Sequence, residues 1–291
     1  MRNRYVYNEK QQNGENLSKW SSFWRYPIVW MITGAIGIIL VDSLFRQLTD
    51  QTEGITSLLL TLTKCFIVIM VYRLTMKYLA RRSTAEISIQ RAGIETGMGL
   101  LTGALFIVVS ILIIVAMGGY SLQWASSVDT SAVLIMSIEA ALSAAIIEEL
   151  IFRGFMFQAI QNLVGAWPAL AVTSLFFGVA HIGNPGATLW SAFAISIEAG
   201  LLLGAAFLWR RNLWFVIGLH FAWNAIEDMV GIPVSGYLTA GLYNVKVNGS
   251  ALLTGGDFGL EASIVPIIVS LLISIPMLIY ATRKRASLLK I

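Results

Sequence analysis

The chain has 291 residues, of which 57% are hydrophobic and only 12% charged, with a mean hydropathy of +0.74. A soluble globular domain carries about 25% charged residues, so the composition excludes disordered, collagen-like and ordinary cytosolic classes and makes lipid the solvent for most of the chain. The net charge of +4 arises from 20 Lys and Arg against 16 Asp and Glu; the basic residues fall at membrane edges, so no nucleic-acid partner is expected.

Apolar runs near the roughly 20 residues that cross a bilayer occur at about 27–44, 55–72, 97–117, 131–153, 166–183, 187–208, 213–230 and 260–282. They predict an all-α polytopic transmembrane bundle of about eight spans. The first run follows a polar segment and has no small-residue cleavage site after it, so it reads as a retained helix and not a signal peptide. Cys65, the single cysteine, lies in an apolar run, which leaves no disulfide framework and no cysteine-based zinc site.

The chain divides into an N-terminal segment (1–26), three N-terminal spans (27–130), a four-span core (131–230), a loop (231–259) and a last span with a basic tail (260–291). Arg2, Arg4, Lys10, Lys19 and Arg25 precede the first span, Arg73, Lys77, Arg81, Arg82 and Arg91 follow the second, Arg210 and Arg211 follow the sixth, and Arg283, Lys284, Arg285 and Lys290 end the chain. Eight spans put all of these on one side. The positive-inside rule then makes both termini cytoplasmic and the 231–259 loop external. Trp20, Trp24, Trp30, Trp167, Trp209 and Trp214 read as interfacial anchors, Gly200 and Gly204 as a helix-packing GxxxG, and the loop as a connector without helical or strand period.

Ionisable residues inside a bilayer are expensive and mark function by default. The core carries several. In the run AAIIEELIFRGF, Glu149 and Arg153 stand four residues apart on one helix face, whereas Glu148 is rotated by about 100°; Arg153 is expected to neutralise Glu149 and leave Glu148 free. The next run places Phe177 and His181 one turn apart, and the run after it places His220 and Asn224 in the same way; these are the only two histidines in the chain. Counted along their helices at about 1.5 Å per residue, Glu148, His181, His220 and Asn224 fall in one layer and predict a polar cavity within the membrane.

A partly desolvated glutamate without its counter-ion suits a general base that takes a proton from water. Glu148 is that candidate, His181 orients the water or shuttles its proton, and His220 with the Asn224 amide stabilises the oxyanion of an attacked peptide carbonyl. The same groups also suit a divalent metal such as Zn2+ held by Glu148, His181 and His220, and the spacing decides nothing between the two. Lys64 and Glu198 are expected to pair internally, line the cavity or snorkel, and Glu139, on the helix face opposite Glu148, to sit near the external surface. Glu227 and Asp228 are expected to be solvated at the end of their helix.

With these residues in place the chain resembles the CPBP family of intramembrane proteases, which includes the CAAX prenyl endopeptidase and the bacterial Abi proteins. Its pattern EExxxR, FxxxH and HxxxN stands here as Glu148, Glu149 and Arg153, then Phe177 and His181, then His220 and Asn224, in order, with Gly154 closing the first motif. The resemblance covers roughly residues 131–230. It implies a helical bundle with a catalytic cavity, catalytic residues among Glu148, Glu149, Arg153, His181, His220 and Asn224, and a membrane-embedded peptide or protein as substrate; residence in the plasma membrane is expected on the assumption of a bacterial origin. Two rival classes remain: a catalytically silent scaffold that binds a membrane sensor kinase or bacteriocin, and a transporter, against which the absence of an inverted repeat counts.

Overall fold

A computed structural model describes residues 23–288, with side chains described as far as residue 283. Arg2, Arg4, Lys10, Lys19, Trp20 and Lys290, and the side chains of Lys284 and Arg285, lie outside the described residues. The elements are α1 (Pro27–Thr49), α2 (Gly54–Tyr78), α3 (Ala92–Ala116), β1 (Tyr120–Trp124) and α4 (Thr130–Glu149). A π-helical stretch (Leu150–Met156) leads from α4 into α5 (Phe157–Val164), followed by α6 (Ala166–Ala180) and α7 (Leu189–Ile195). A second π-helical stretch (Ser196–Leu201) leads into α8 (Leu202–Arg210), and α9 (Leu213–Val230), β2 (Tyr243–Val247), α10 (Ala251–Thr254) and α11 (Ile264–Leu288) complete the chain.

Helix ends fall where local chemistry sets them. Asp129 accepts from the backbone N–H of Ser131 and Ala132 at the start of α4; the Ser131 hydroxyl and these amides hold its carboxyl below the usual range. Asn212 caps α9 through Trp214 and Phe215, and Gly231 ends it in the left-handed region at φ 91°. Gly165, at φ 97°, separates α5 from α6.

Among the described residues six helices are long and apolar enough to cross a membrane: Pro27–Thr49, Gly54–Tyr78, Ile89–Ala116, Thr130–Val164, Leu189–Arg210 and Ile264–Arg283. The sequence count of about eight also included α6 and α9. The first has only 15 residues, and the second carries His220, Asn224, Glu227 and Asp228 and is buried along most of its length. A helix wrapped by protein has no need of an all-apolar surface, so hydropathy under-reports it.

Glycines set how close α9 comes to α3. A Cβ on Gly99 would lie 2.1 Å from the Phe215 carbonyl oxygen, one on Gly103 2.2 Å from that of Leu219, and one on Gly218 2.6 Å from that of Thr96. This backbone-to-backbone contact presses the helix bearing His220 into the bundle. Gly103→Leu is therefore expected to cost about 1–3 kcal/mol or more through overpacking and to lower the thermal unfolding midpoint in detergent. Gly97→Leu, where a Cβ meets nothing within 4 Å, is expected to leave it unchanged. Gly200 and Gly204 likewise admit Ser174 and Leu170 of α6.

At one end of the bundle, Arg82 donates to Glu86 and to Gln158, and Glu86 also accepts from Tyr72. Burial works against the Glu86 charge, but the Arg82 hydrogen bonds hold the carboxyl below its usual range. At the other end β1 pairs antiparallel with β2, Tyr120 opposite Val247. The segment after α9 is thus no featureless connector: it holds a strand and a short helix. Trp30, expected at an interface, is 2% exposed and packs against Phe155.

Candidate active site

The three sequence motifs converge on one cavity wall. Glu149, fully buried, accepts from Arg153 Nη1 at 2.9 Å and lies 2.9 Å from His220 Nδ1. Arg153 also donates through Nη2 to the carbonyls of Ala199 and Gly200 at 3.1 Å. Both carbonyls belong to the second π-helical stretch, whose i→i+5 pattern interrupts the regular α-helical ladder, while Arg153 itself lies in the first. Its guanidinium stands 4.7 Å from the Phe177 ring centre, and that ring is 4.9 Å from the His181 ring. Phe177 therefore packs between the buried ion pair and the second histidine.

Both histidines have Nδ1 anchored on an acceptor, which in the neutral ring puts the proton there. His220 Nδ1–H donates to Glu149, leaving the Nε2 lone pair to accept from Asn224 Nδ2 at 3.2 Å. His181 Nδ1–H donates to the Phe177 carbonyl at 2.6 Å, leaving its Nε2 with a lone pair. Glu148 makes no hydrogen bond to another described residue; its nearest charged partner is His220 Nε2 at 4.0 Å, and its side chain is 28% exposed.

A cavity of about 420 Å³ is lined by Glu148, His181 and Asn224 together with Ala140, Ala141, Ala144, Phe152 and Ala180. Glu149, Arg153 and His220 stand behind this wall. His220 stands next to the lining residues, its Nε2 3.2 Å from Asn224 Nδ2 and 4.0 Å from Glu148. Among the described residues no group of three or more His, Cys, Asp or Glu side chains is gathered closely enough to hold a metal ion, so Glu148, His181 and His220 are not assembled as a ligand set.

The rest of the lining comes from residues that motif spacing could not single out: Asn184, Asp228, Val234, Ser235, Tyr237 and Thr239. Val234–Tyr237 is a two-residue hairpin turn with Ser235 at φ 48° and Gly236 at φ 88°. Glu261 accepts from both the N–H and the hydroxyl of Ser235, at 2.6 and 2.7 Å, and Asn184 donates to the Ser235 carbonyl at 2.9 Å. These bonds hold a non-glycine residue in a conformation it seldom adopts. Burial pushes the Glu261 carboxyl above its usual range.

Charged residues away from the motifs are placed as follows. Lys64 pairs with Asp42 at 2.9 Å and donates to Ser143, and Glu139 accepts from Ser57. Glu198 is fully buried, and neither carboxyl oxygen is hydrogen-bonded among the described residues. Glu227 and Asp228, expected to be solvated, are 0% and 7% exposed; Trp223 Nε1 donates to Glu227.

Residues 130–226 match the Rce1-like family model, described as type II CAAX prenyl endopeptidase Rce1-like. Over these residues, about a third of the chain, it is similar to the CPBP/CAAX family. Neither the curated proteins nor the solved structures compared with it give a match. The family is one of proteases acting on membrane-associated peptides, and the match spans α4 to most of α9, which together carry all three motifs. The wall formed by residues 228–239 lies beyond it.

Proposed function

We propose that the chain is an intramembrane endopeptidase that hydrolyses a peptide bond with a water activated by Glu148. The observation that carries this reading is the division of labour between adjacent carboxylates. Glu149 is buried and tied to Arg153 and His220, whereas Glu148 faces the cavity without a hydrogen-bond partner among the described residues.

Water bound between the Glu148 carboxylate and His181 Nε2 loses its proton to Glu148 as its oxygen attacks the scissile carbonyl. One N–H of the Asn224 amide is engaged with His220; the other donates to the developing oxyanion. Glu148 then delivers the proton to the leaving nitrogen. Glu149 and Arg153 act as positioning residues: Glu149 fixes the His220 tautomer, and His220 in turn orients Asn224.

The basic residues Arg73, Lys77, Arg81, Arg82, Arg91, Arg210 and Arg211 cluster towards the end of the bundle away from the 231–262 segment, which favours cytoplasmic termini and a cavity mouth on the outer side of a bacterial plasma membrane. The substrate is a peptide or protein segment reached from that side. Cells expressing the wild type and Glu148→Gln at matched levels are expected to differ in membrane-derived peptide termini, with new termini in the wild type alone. Identical termini, with both proteins stably inserted, would move the reading to a non-catalytic scaffold.

A further inference from the structure

The cavity has a chemistry the catalytic reading does not use. Its lining includes two carboxylates, Glu148 and Asp228, and no Lys or Arg. Asp228 is 7% exposed, and its two oxygens accept from Ser137 Oγ at 2.7 Å and from Thr239 Oγ1. Both donors are neutral hydroxyls, which aim the carboxylate without neutralising it; among the described residues no Lys or Arg forms an ion pair with it.

Asn224, 8% exposed, lines the same cavity one turn before Asp228 on the same helix. The wall that runs from Glu148 past Asn224 to Asp228 thus carries two carboxylates and no cation, and a ligand that satisfies Asp228 must offer N–H donors and positive charge.

We propose that this wall is a subsite for a cationic group of the substrate, an ammonium or guanidinium, with Asp228 as the specificity-determining residue. It rests on the protease reading only in calling that ligand a substrate. One helical turn separates Asn224 from Asp228, about 6 Å, and an extended peptide advances about 3.3 Å per residue. The cation therefore lies within about two residues of the bond held at Asn224. Two sources share this chemistry: a Lys or Arg side chain, and a free chain N-terminus.

The test reads binding, not cleavage, by fluorescence anisotropy on the full chain in nanodiscs. The probes are apolar dodecapeptide amides, N-acetylated and carrying one Lys, Met or Glu at the centre, and a fourth with Met at the centre and a free N-terminus. The Lys peptide is expected to bind about tenfold more tightly than the Met peptide, a tenfold change in Kd, with the Glu peptide weakest. The preference should shrink to within about twofold in Asp228→Asn and survive in Ser137→Ala, which removes a hydroxyl but keeps the charge. A gain confined to the free-N-terminus peptide assigns the cation to the chain end.

Equal binding of all four peptides by the wild type, no binding of any, or an undiminished Lys preference in a folded Asp228→Asn protein would overturn the proposal. If Asp228→Asn fails to insert, the wild-type comparison decides alone. Cleavage without charge preference would sink this subsite and leave the protease reading standing; charge-selective binding without cleavage would do the reverse.

Discussion

Glu148→Gln is expected to lower kcat/KM for peptide cleavage by about 10²–10⁴-fold while leaving the unfolding midpoint of the purified protein where it was. The substitution keeps the size and the hydrogen-bonding ends of the side chain but removes the base. Little structure depends on Glu148: it is part-exposed at the cavity and makes no hydrogen bond to another described residue. Substrate affinity should change far less than turnover, because the lost interaction belongs to the transition state and not to the bound peptide. Initial rates over a substrate series, with the midpoint measured on the same preparation, separate the two effects. A Gln variant that turns over at the wild-type rate would remove Glu148 from the mechanism and, with it, the reading of the neighbouring residues.

Arg153→Ala is expected to act in the opposite way, on the fold first and on catalysis through it. Arg153 is 1% exposed and links Glu149 to the carbonyls of Ala199 and Gly200. Removing it leaves a buried carboxylate and two backbone acceptors without their donor. The loss of one partner from a buried ion pair costs about 3–5 kcal/mol, which should appear as a large fall in the unfolding midpoint and in the yield of inserted protein. Arg153→Lys is expected to recover only part, since an ammonium lacks the planar fork that serves a carboxylate and two carbonyls together. Pairing Arg153→Ala with Glu149→Gln should recover part by another route, because the orphaned group is then neutral. An alanine variant as stable as the wild type would mean that Glu149 has another route to neutralisation, and His220 another anchor.

Much of this was legible along the chain because its signals are local. Composition and hydropathy alone assign the protein to the membrane, since transfer to lipid is decided residue by residue. The spacing of four between Glu149 and Arg153, Phe177 and His181, and His220 and Asn224 is one helical turn, so each pair could be placed on a shared face before any tertiary contact was known. The pairing of Glu149 with Arg153 follows from that spacing, and so does the separation of Glu148 from both.

Tertiary structure decided what depends on residues far apart in sequence. Asp228 reads as a solvated helix end until Ser137, 91 positions away, is placed against it; Trp30 reads as an interfacial anchor until Phe155 is packed on it. The loop after α9 has no period of its own because its strand is completed by β1, more than a hundred residues earlier, and its turn is held by Glu261 from beyond it. The helix carrying His220 and Asn224 reads along the chain as one more span, and only packing shows that its surroundings are largely protein and not lipid. A helical period is written into neighbouring residues, whereas burial, strand pairing and the far wall of a cavity are properties of chain segments brought together, and no local pattern encodes which segments those will be.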